Sequence, residues 1–383
     1  MKKTLAAIAV LGAFAGTSMA ADVVLYGRVD TGLAYTNVDQ DRGAAYENDT
    51  FEMTTGFSTG SRWGLKGSEE LGNGMKVGFV LESGYSSDTG ALPTGNRIFH
   101  RESTVSFGGN FGTFYFGRMN TLASDGGTMT MMGDVSAVGN AYGLLSAKGS
   151  TGSTWDRYDN LIGYVSPNFN GLTLAAQYSM GASGESENKA VANRYGVIGA
   201  KYVRGPINVA MTAEYTVYAH QHTAPAEAGA LSVDHDVDNG VAVMLGGNYD
   251  FGAAKVYAKA TYLDNMKAIL DSFAIGDDKF LTTKVTVGGK TYTAQYEGWG
   301  AELGTAVPVL GGTVLAAVGY RNAEVTKDSA DEYKRINVGA AYTYPFSKRT
   351  NVYTSVAYAQ EKSEKNNKTA QASQVGVGLV HRF

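Results

Sequence analysis

Leu172-Thr-Leu-Ala-Ala-Gln-Tyr-Ser-Met180 alternates without a break: Leu172, Leu174, Ala176, Tyr178 and Met180 take one face, and Thr173, Ala175, Gln177 and Ser179 the other. Side chains of an extended strand point to opposite sides in turn, so a period of two marks a sheet with one apolar face. The pattern recurs. Ile207, Val209, Met211, Ala213, Tyr215 and Val217 oppose Asn208, Ala210, Thr212, Glu214 and Thr216. Val256, Ala258, Ala260 and Tyr262 oppose Lys255, Tyr257, Lys259 and Thr261. Near the end, Val375, Val377, Leu379, His381 and Phe383 oppose Gln374, Gly376, Gly378, Val380 and Arg382. No comparable stretch repeats at the helical 3.6 residues. The chain reads as all-β.

The links between these runs decide which β fold. Seven are short and rich in Gly and Asn: Leu71–Gly74, Gly109–Gly112, Asn168–Gly171, Arg204–Pro206, Asp250–Ala253, Val309–Gly312 and Pro345–Lys348. They are separated by eight longer polar stretches, around 37–50, 87–96, 119–156, 182–193, 219–239, 264–293, 323–333 and 361–371. Seven and eight make fifteen connections and hence sixteen strands, both ends lying on the short-turn side. A sandwich has no reason to sort its connections by length, whereas a transmembrane barrel does so at its two rims. In hydrocarbon every backbone N–H and C=O must find a partner in the protein, so the sheet must close. The expectation is a 16-stranded antiparallel transmembrane β-barrel, Val23–Thr36 pairing with Ala372–Phe383. At that size side chains cannot fill the interior, and water does. Tyr35, Tyr85, Tyr178, Tyr218, Tyr320, Tyr342 and Tyr358 stand near strand ends, where aromatic girdles belong.

Composition agrees. Of 383 residues 50 are Gly, 24 Tyr and only 6 Pro, with 18% charged. Cys is 0, which rules out disulfides and thiolate chemistry. A net charge of -4 argues against nucleic acid, whose phosphates demand a surplus of Lys and Arg. Met1-Lys2-Lys3, the apolar Leu5–Ala15 and the small Ser18-Met19-Ala20 form a secretory signal peptide, so residues 1–20 are a leader and 21–383 the barrel. Losing two lysines takes the balance from -4 to -6. An exported all-β chain without cysteines points to a bacterial outer membrane. Catalytic, cofactor and metal sites are not expected. Of five histidines, only His100 lies near a candidate serine, Ser103; His220, His222 and His235 share one loop and His381 is terminal. The His220/Asp234–Asp238 stretch reads as solvated surface, with divalent-cation bridging to lipopolysaccharide as its milder role.

Val24-Leu-Tyr-Gly-Arg-Val-Asp-Thr-Gly32, Ser61-Arg-Trp-Gly-Leu-Lys-Gly-Ser-Glu-Glu-Leu-Gly72, Gly112-Thr-Phe-Tyr-Phe-Gly-Arg118, Ser166-Pro-Asn-Phe-Asn-Gly171 and the terminal Val380-His-Arg-Phe383 resemble the trimeric general diffusion porins of Gram-negative bacteria, with a β-proteobacterial and neisserial flavour. The resemblance covers the whole chain after the leader. It implies a homotrimer in lipid and lipopolysaccharide, a terminal Phe383 read by the barrel-assembly machinery, and a third loop folded inward. That loop, Met119–Asp156, runs 38 residues, long enough to be functional on length alone. Met129, Met131 and Met132 suit anchoring against an irregular wall. The family's acidic Pro-Glu-Phe-Gly-Gly-Asp-like element is altered here; Asp125 and Asp134 are the acids of the loop's apical part. Opposite it the family places basic wall residues. Strand parity turns Arg28, Arg62 and Lys66 inward, and Arg101 and Arg157 match by motif, although alternation sends one of Arg101 and Glu102 outward. These seven charges form the expected pore constriction. The expected function is passive permeation of small hydrophilic solutes and ions; a substrate-selective channel and a surface adhesin or structural barrel are the other readings left open by the residues.

Overall fold

The structure, a computed structural model, describes residues 23–41, 45–93, 97–151, 157–184, 192–219, 237–267, 274–275, 278–279, 284–287 and 290–383. The expected leader, residues 1–20, and His220, His222 and His235 lie outside them. Among the described residues, seventeen antiparallel segments join in one closed sheet. They make sixteen staves, because two segments share the second. In chain order these are β1 (Val24–Asp41), β2 (Ala45–Thr55 with Arg62–Gly72), β3 (Met75–Gly84), β4 (Glu102–Gly109), β5 (Gly112–Asn120), β6 (Arg157–Val165), β7 (Leu172–Ser179) and β8 (Arg194–Arg204). There follow β9 (Ile207–Val217), β10 (Gly240–Asp250), β11 (Lys255–Met266), β12 (Tyr296–Val309), β13 (Gly312–Val325), β14 (Asp328–Pro345), β15 (Thr350–Ser363) and β16 (Lys368–Arg382). Each pairs with its sequence neighbours, as short hairpin turns dictate.

Closure comes from β1, which pairs with β16 from Arg28↔Arg382 to Gln40↔Ala370. The last residue completes the seam: Phe383 and Gly27 exchange N–H···O=C bonds of 3.1 Å each way. The second stave is broken. β1 meets its upper half through Thr31↔Thr55 and its lower half through Arg28↔Arg62, leaving residues 56–61 out of the ladder.

Alternation sorts the two faces. Outward residues are large, apolar and exposed, including Leu33, Phe107, Phe116, Ile198, Leu245, Leu303, Val338 and Val377. Such a surface is stable only where oil covers it. The inward face holds buried polar groups such as Asp30, Glu102, Gln177, Thr212 and Asn337. Tyr35, Tyr178, Tyr215, Tyr262 and Trp299 stand on the outward side. Tyr218 departs from the girdle expected of it; it is buried, and its hydroxyl accepts the Lys267 amide proton at 3.0 Å.

Three of the eight expected long loops are mostly strand. β1 runs to Asp41, β13 and β14 leave only two residues between Val325 and Asp328, and β15 runs to Ser363 before β16 resumes at Lys368. Polar sequence there means a sheet wet on both faces, not a loop. The wall is therefore uneven. β14 has 18 residues and β16 has 15, against 8 in β4 and 8 in β7. A tilted strand crosses hydrocarbon with about 9–11 residues, so the longer staves project beyond the membrane.

The seam supplies a test. A Cβ on Gly27 would lie 2.3 Å from the Phe383 ring and 2.7 Å from the Arg62 carbonyl oxygen, and that backbone atom cannot yield. Gly27→Val should destabilise closure by about 1–3 kcal/mol, the usual cost of overpacking. Refolding into detergent, followed by the heat-dependent gel shift of barrels, should show a lower yield and a lower melting temperature; wild-type values would refute the seam's dependence on this glycine.

Candidate functional site

The third loop lies against the inward face. Met119, Leu122, Ala123, Met129, Met131, Met132, Val135 and Ala147 are buried together with the inward residues Leu161, Ala175, Tyr195, Val197, Ala210 and Met244 of β6 to β10. The wall makes room by omitting side chains. A Cβ on Gly163 would meet the Met129 sulfur at 2.4 Å, one on Gly199 the Met131 sulfur at 2.7 Å, and one on Gly246 the Val135 side chain at 2.7 Å. The returning limb, with a short helix over Lys148–Thr151, sits on Gly300 of β12, whose Cβ would come 1.9 Å from the Ser150 carbonyl oxygen. The methionines expected to anchor the loop do occupy the wall.

The break in β2 forms the facing side. Asp30 on β1 is fully buried and its carboxylate accepts the Ser58 and Thr59 amides (2.8 and 2.6 Å) and the Tyr353 hydroxyl (2.7 Å). Phe57 stacks on Tyr353, ring centroids 6.1 Å apart, and meets Tyr142 of the loop edge-on at 6.4 Å. Six residues that would have run along the wall thus turn into the lumen and meet the loop.

Between them lies a cavity of about 650 Å³. Arg28, Arg62, Arg101, Arg157 and Lys148 line it, with Asp125 as the acid among its described lining residues. Arg28 and Arg62 both reach Thr59 Oγ1 (3.1 and 3.4 Å), and Arg62 Nε donates to the Gly60 carbonyl at 2.9 Å. Glu82 of β3 stands behind the cluster. It accepts Arg101 Nε at 2.6 Å and the Tyr26 hydroxyl at 3.1 Å, and lies 3.7 Å from Arg62 Nη1. One carboxylate shared by two guanidiniums leaves a surplus of positive charge facing the water. Across the cavity, Asp125 is 3.8 Å from Lys259 Nζ of β11. Burial pushes the Asp125 carboxyl above the ordinary aspartate range, and the charges of Lys259 and Lys148 oppose that rise.

Two of the seven expected charges lie elsewhere. Lys66 is four residues along β2 from Arg62, toward the turn rim, with its ammonium 5.2 Å from the Tyr26 ring centre. At about 3.3 Å per residue it is roughly 13 Å below the cluster. Asp134 pairs with Lys201 of β8 at 2.5 Å and its carbonyl accepts from Asn248 at 2.6 Å, pinning the loop to the wall outside the cavity lining. The outward turn expected of Arg101 or Glu102 does not occur. Arg101 precedes β4, where alternation has not begun, and Glu102 faces inward, buried, accepting Thr104 and Thr128 hydroxyls at 3.0 and 2.5 Å. Sequence reading missed the contributions of residues 56–60, Glu82 and Lys148. The run Gly56-Phe-Ser-Thr-Gly60 carried a signal, being turn chemistry inside an apparent strand.

The comparisons with known proteins agree along the full length. A family described as Gram-negative porin matches residues 5–381. The chain is 31% identical to an outer membrane porin protein of Bordetella pertussis, covering 100% of both chains. It is 32% identical to outer membrane porin protein 32 of Delftia acidovorans over 94% of this chain and 90% of that one. Among solved structures, the anion-selective porin from Comamonas acidovorans superposes with a TM-score of 0.61 at 23% identity, covering 95% of this chain and 100% of that one. Salmonella typhi OmpF superposes at 0.59 with 15% identity, covering 94% and 97% respectively.

The glycine seats make the loop's position testable. Gly300→Ala puts a methyl group against the Ser150 backbone, and overpacking of that kind costs about 1–3 kcal/mol. The returning limb should shift into the lumen while the wall's own hydrogen bonds persist. Planar-bilayer recording should show a smaller single-channel conductance from a protein with a normal heat-dependent gel shift; unchanged conductance would refute the seat.

Proposed function

The chain belongs to the Gram-negative porin family, and we propose that its waist sorts solutes by charge. The barrel is an outer-membrane channel through which small hydrophilic solutes diffuse passively; it is not an enzyme. The selective step falls at the cavity bounded by the third loop and the break in β2, and it favours small anions. One observation carries this reading: among the described residues, five cations and one acid line that space.

Arg28, Arg62, Arg101 and Arg157 stand along one side, with Asp125 on the loop opposite. Two unit charges 8 Å apart interact by about 0.5 kcal/mol in bulk water and about 2 kcal/mol at an effective dielectric of 20. A field of that size biases ions and orients dipolar solutes without holding them. Apolar molecules must disturb the ordered water and are slowed. Fixed rings of charge set ion preference in channels by this logic. The Comamonas acidovorans barrel is described as anion-selective; for this chain the preference rests on its own lining.

The assembly is proposed as a homotrimer. The outward residues Phe51, Met53, Val105, Phe107, Phe114 and Phe116 of β2, β4 and β5 give a bulky face suited to a second copy. Cleavage of the leader after Ala20, contact of the outer surface with lipopolysaccharide, and reading of Phe383 by the barrel-assembly machinery belong to the same proposal. Conductance steps grouped in threes support the trimer, and an electrically silent barrel would refute the channel.

Charge selection predicts a pH response. The Asp125 carboxylate is charged above its pKa, which burial raises, so its charge is lost at a higher pH than for an ordinary aspartate. Anion preference, read as reversal potential in a KCl gradient, should therefore strengthen as pH falls through that pKa. Asp125→Asn should show the strengthened value at all pH and lose the titration. Arg62→Gln should weaken anion preference by about half, as expected for removing one charge from a wet ring. A reversal potential indifferent to all three changes would refute the assignment.

A further inference from the structure

Arg118 should face lipid by simple alternation. Phe114 and Phe116, four and two residues before it on β5, are outward, 37% and 42% exposed. It does not do so. The register of β5 against β6 slips between Gly117 and Met119, a β-bulge. Gly117 has φ +127, and a Cβ there would lie 2.1 Å from the Ser103 carbonyl oxygen. The extra residue lies on β6, where Asp159 and Asn160 together stand opposite Arg118 and Asn160 has φ +55. Bulges re-aim side chains, and this one brings the Asp159 carboxylate to the Arg118 guanidinium, whose side chain is 17% exposed.

The guanidinium is outside the cavity lining, yet it is bonded to the backbone of the residues that form it. Nε donates to the His100 carbonyl at 2.6 Å, and His100 immediately precedes Arg101. Nη1 donates to the carbonyl of Arg157 itself at 3.3 Å. The same nitrogen reaches Asp159 Oδ1 at 2.7 Å. Asp159 is braced in turn by Arg97 Nη1, 2.9 Å from both its oxygens, and its carbonyl takes the Ser179 hydroxyl at 2.6 Å. Arg101 precedes a strand and Arg157 opens one, so the ladder holds neither as firmly as a mid-strand residue.

We propose that Arg118 is a positioning residue for charge selection: one planar fork fixes the backbones that carry Arg101 and Arg157, and Asp159 and Arg97 lock the fork. The role rests on the reading of the waist given above. It requires the fork and not the charge, because an ammonium is a compact point donor without fixed geometry.

The test compares chloride-over-potassium permeability in planar bilayers for wild type, R101Q, R157Q, R118K and R118K in an R101Q/R157Q background. R101Q and R157Q should each lower the ratio. R118K retains its charge but should lower the ratio by about half, the scale of a displaced ring charge. It should add nothing once both waist arginines are gone, since coupled residues are not additive. Swelling of liposomes in a neutral sugar should be unaffected, which a general loss of structure would not leave intact. A wild-type ratio in R118K, or a further fall in the double-variant background, overturns the proposal while leaving the waist reading in place. If R101Q and R157Q have no effect, the waist reading fails instead. Should R118K not reach the heat-modifiable form, D159N removes the lock and is read the same way: a lowered ratio supports the role, a wild-type ratio overturns it.

Discussion

A polypeptide immersed in oil has no solvent to satisfy its amides, and every other feature of this barrel follows from meeting that constraint. The sheet must have no edge, so the first and last staves must find each other across more than three hundred residues of intervening chain. The seam between Gly27 and Phe383 is where that happens. Once the ring is closed, the outward face is fixed as apolar and the inward face is free to be polar, because water and not lipid covers it. The waist chemistry exists only because closure has made a second, wet solvent compartment inside the protein.

Inside that compartment, charge alone does not make a filter; it must be held at a place where the bore is narrow. Two departures from regular strand supply the narrowing. The third loop settles on positions where the wall carries glycine, and residues 56–61 leave the second stave to meet it, tied by Asp30. The positive groups then arrive from five directions: β1, the lower half of β2, the segment before β4, the start of β6 and, with Lys148, the returning limb of the loop. Glu82 shares itself between two of them, so like charges stand close without full cancellation.

Much of this was legible in the residues. Alternation in β7, β9, β11 and β16 is unbroken, so the strand count, the hairpin order and the inward aim of Arg28 and Arg62 could be read directly. Three things could not. Polar runs at 37–50, 323–333 and 361–371 looked like loops because a sheet with water on both faces loses its apolar side, the one signal that marks a strand. Alternation also fails at chain positions where the strand has not started, which is why Arg101 and Glu102 were not placeable by parity. And Asp125 and Asp134, equivalent by composition, part company only through long-range neighbours: Lys259 for one and Lys201 for the other.

The unequal height of the wall bears on traffic at the cell surface. β13 to β16 stand as a palisade of ordered sheet on one side of the mouth, while β4 to β7 end low on the other. A solute, or a large molecule probing the bacterium from outside, meets among the described residues a screen of sheet from one bearing and a sill of sheet from the opposite one. The short staves are also where Arg101 and Arg157 are mounted, so the low side of the ladder and the positively charged jamb of the doorway share a quadrant.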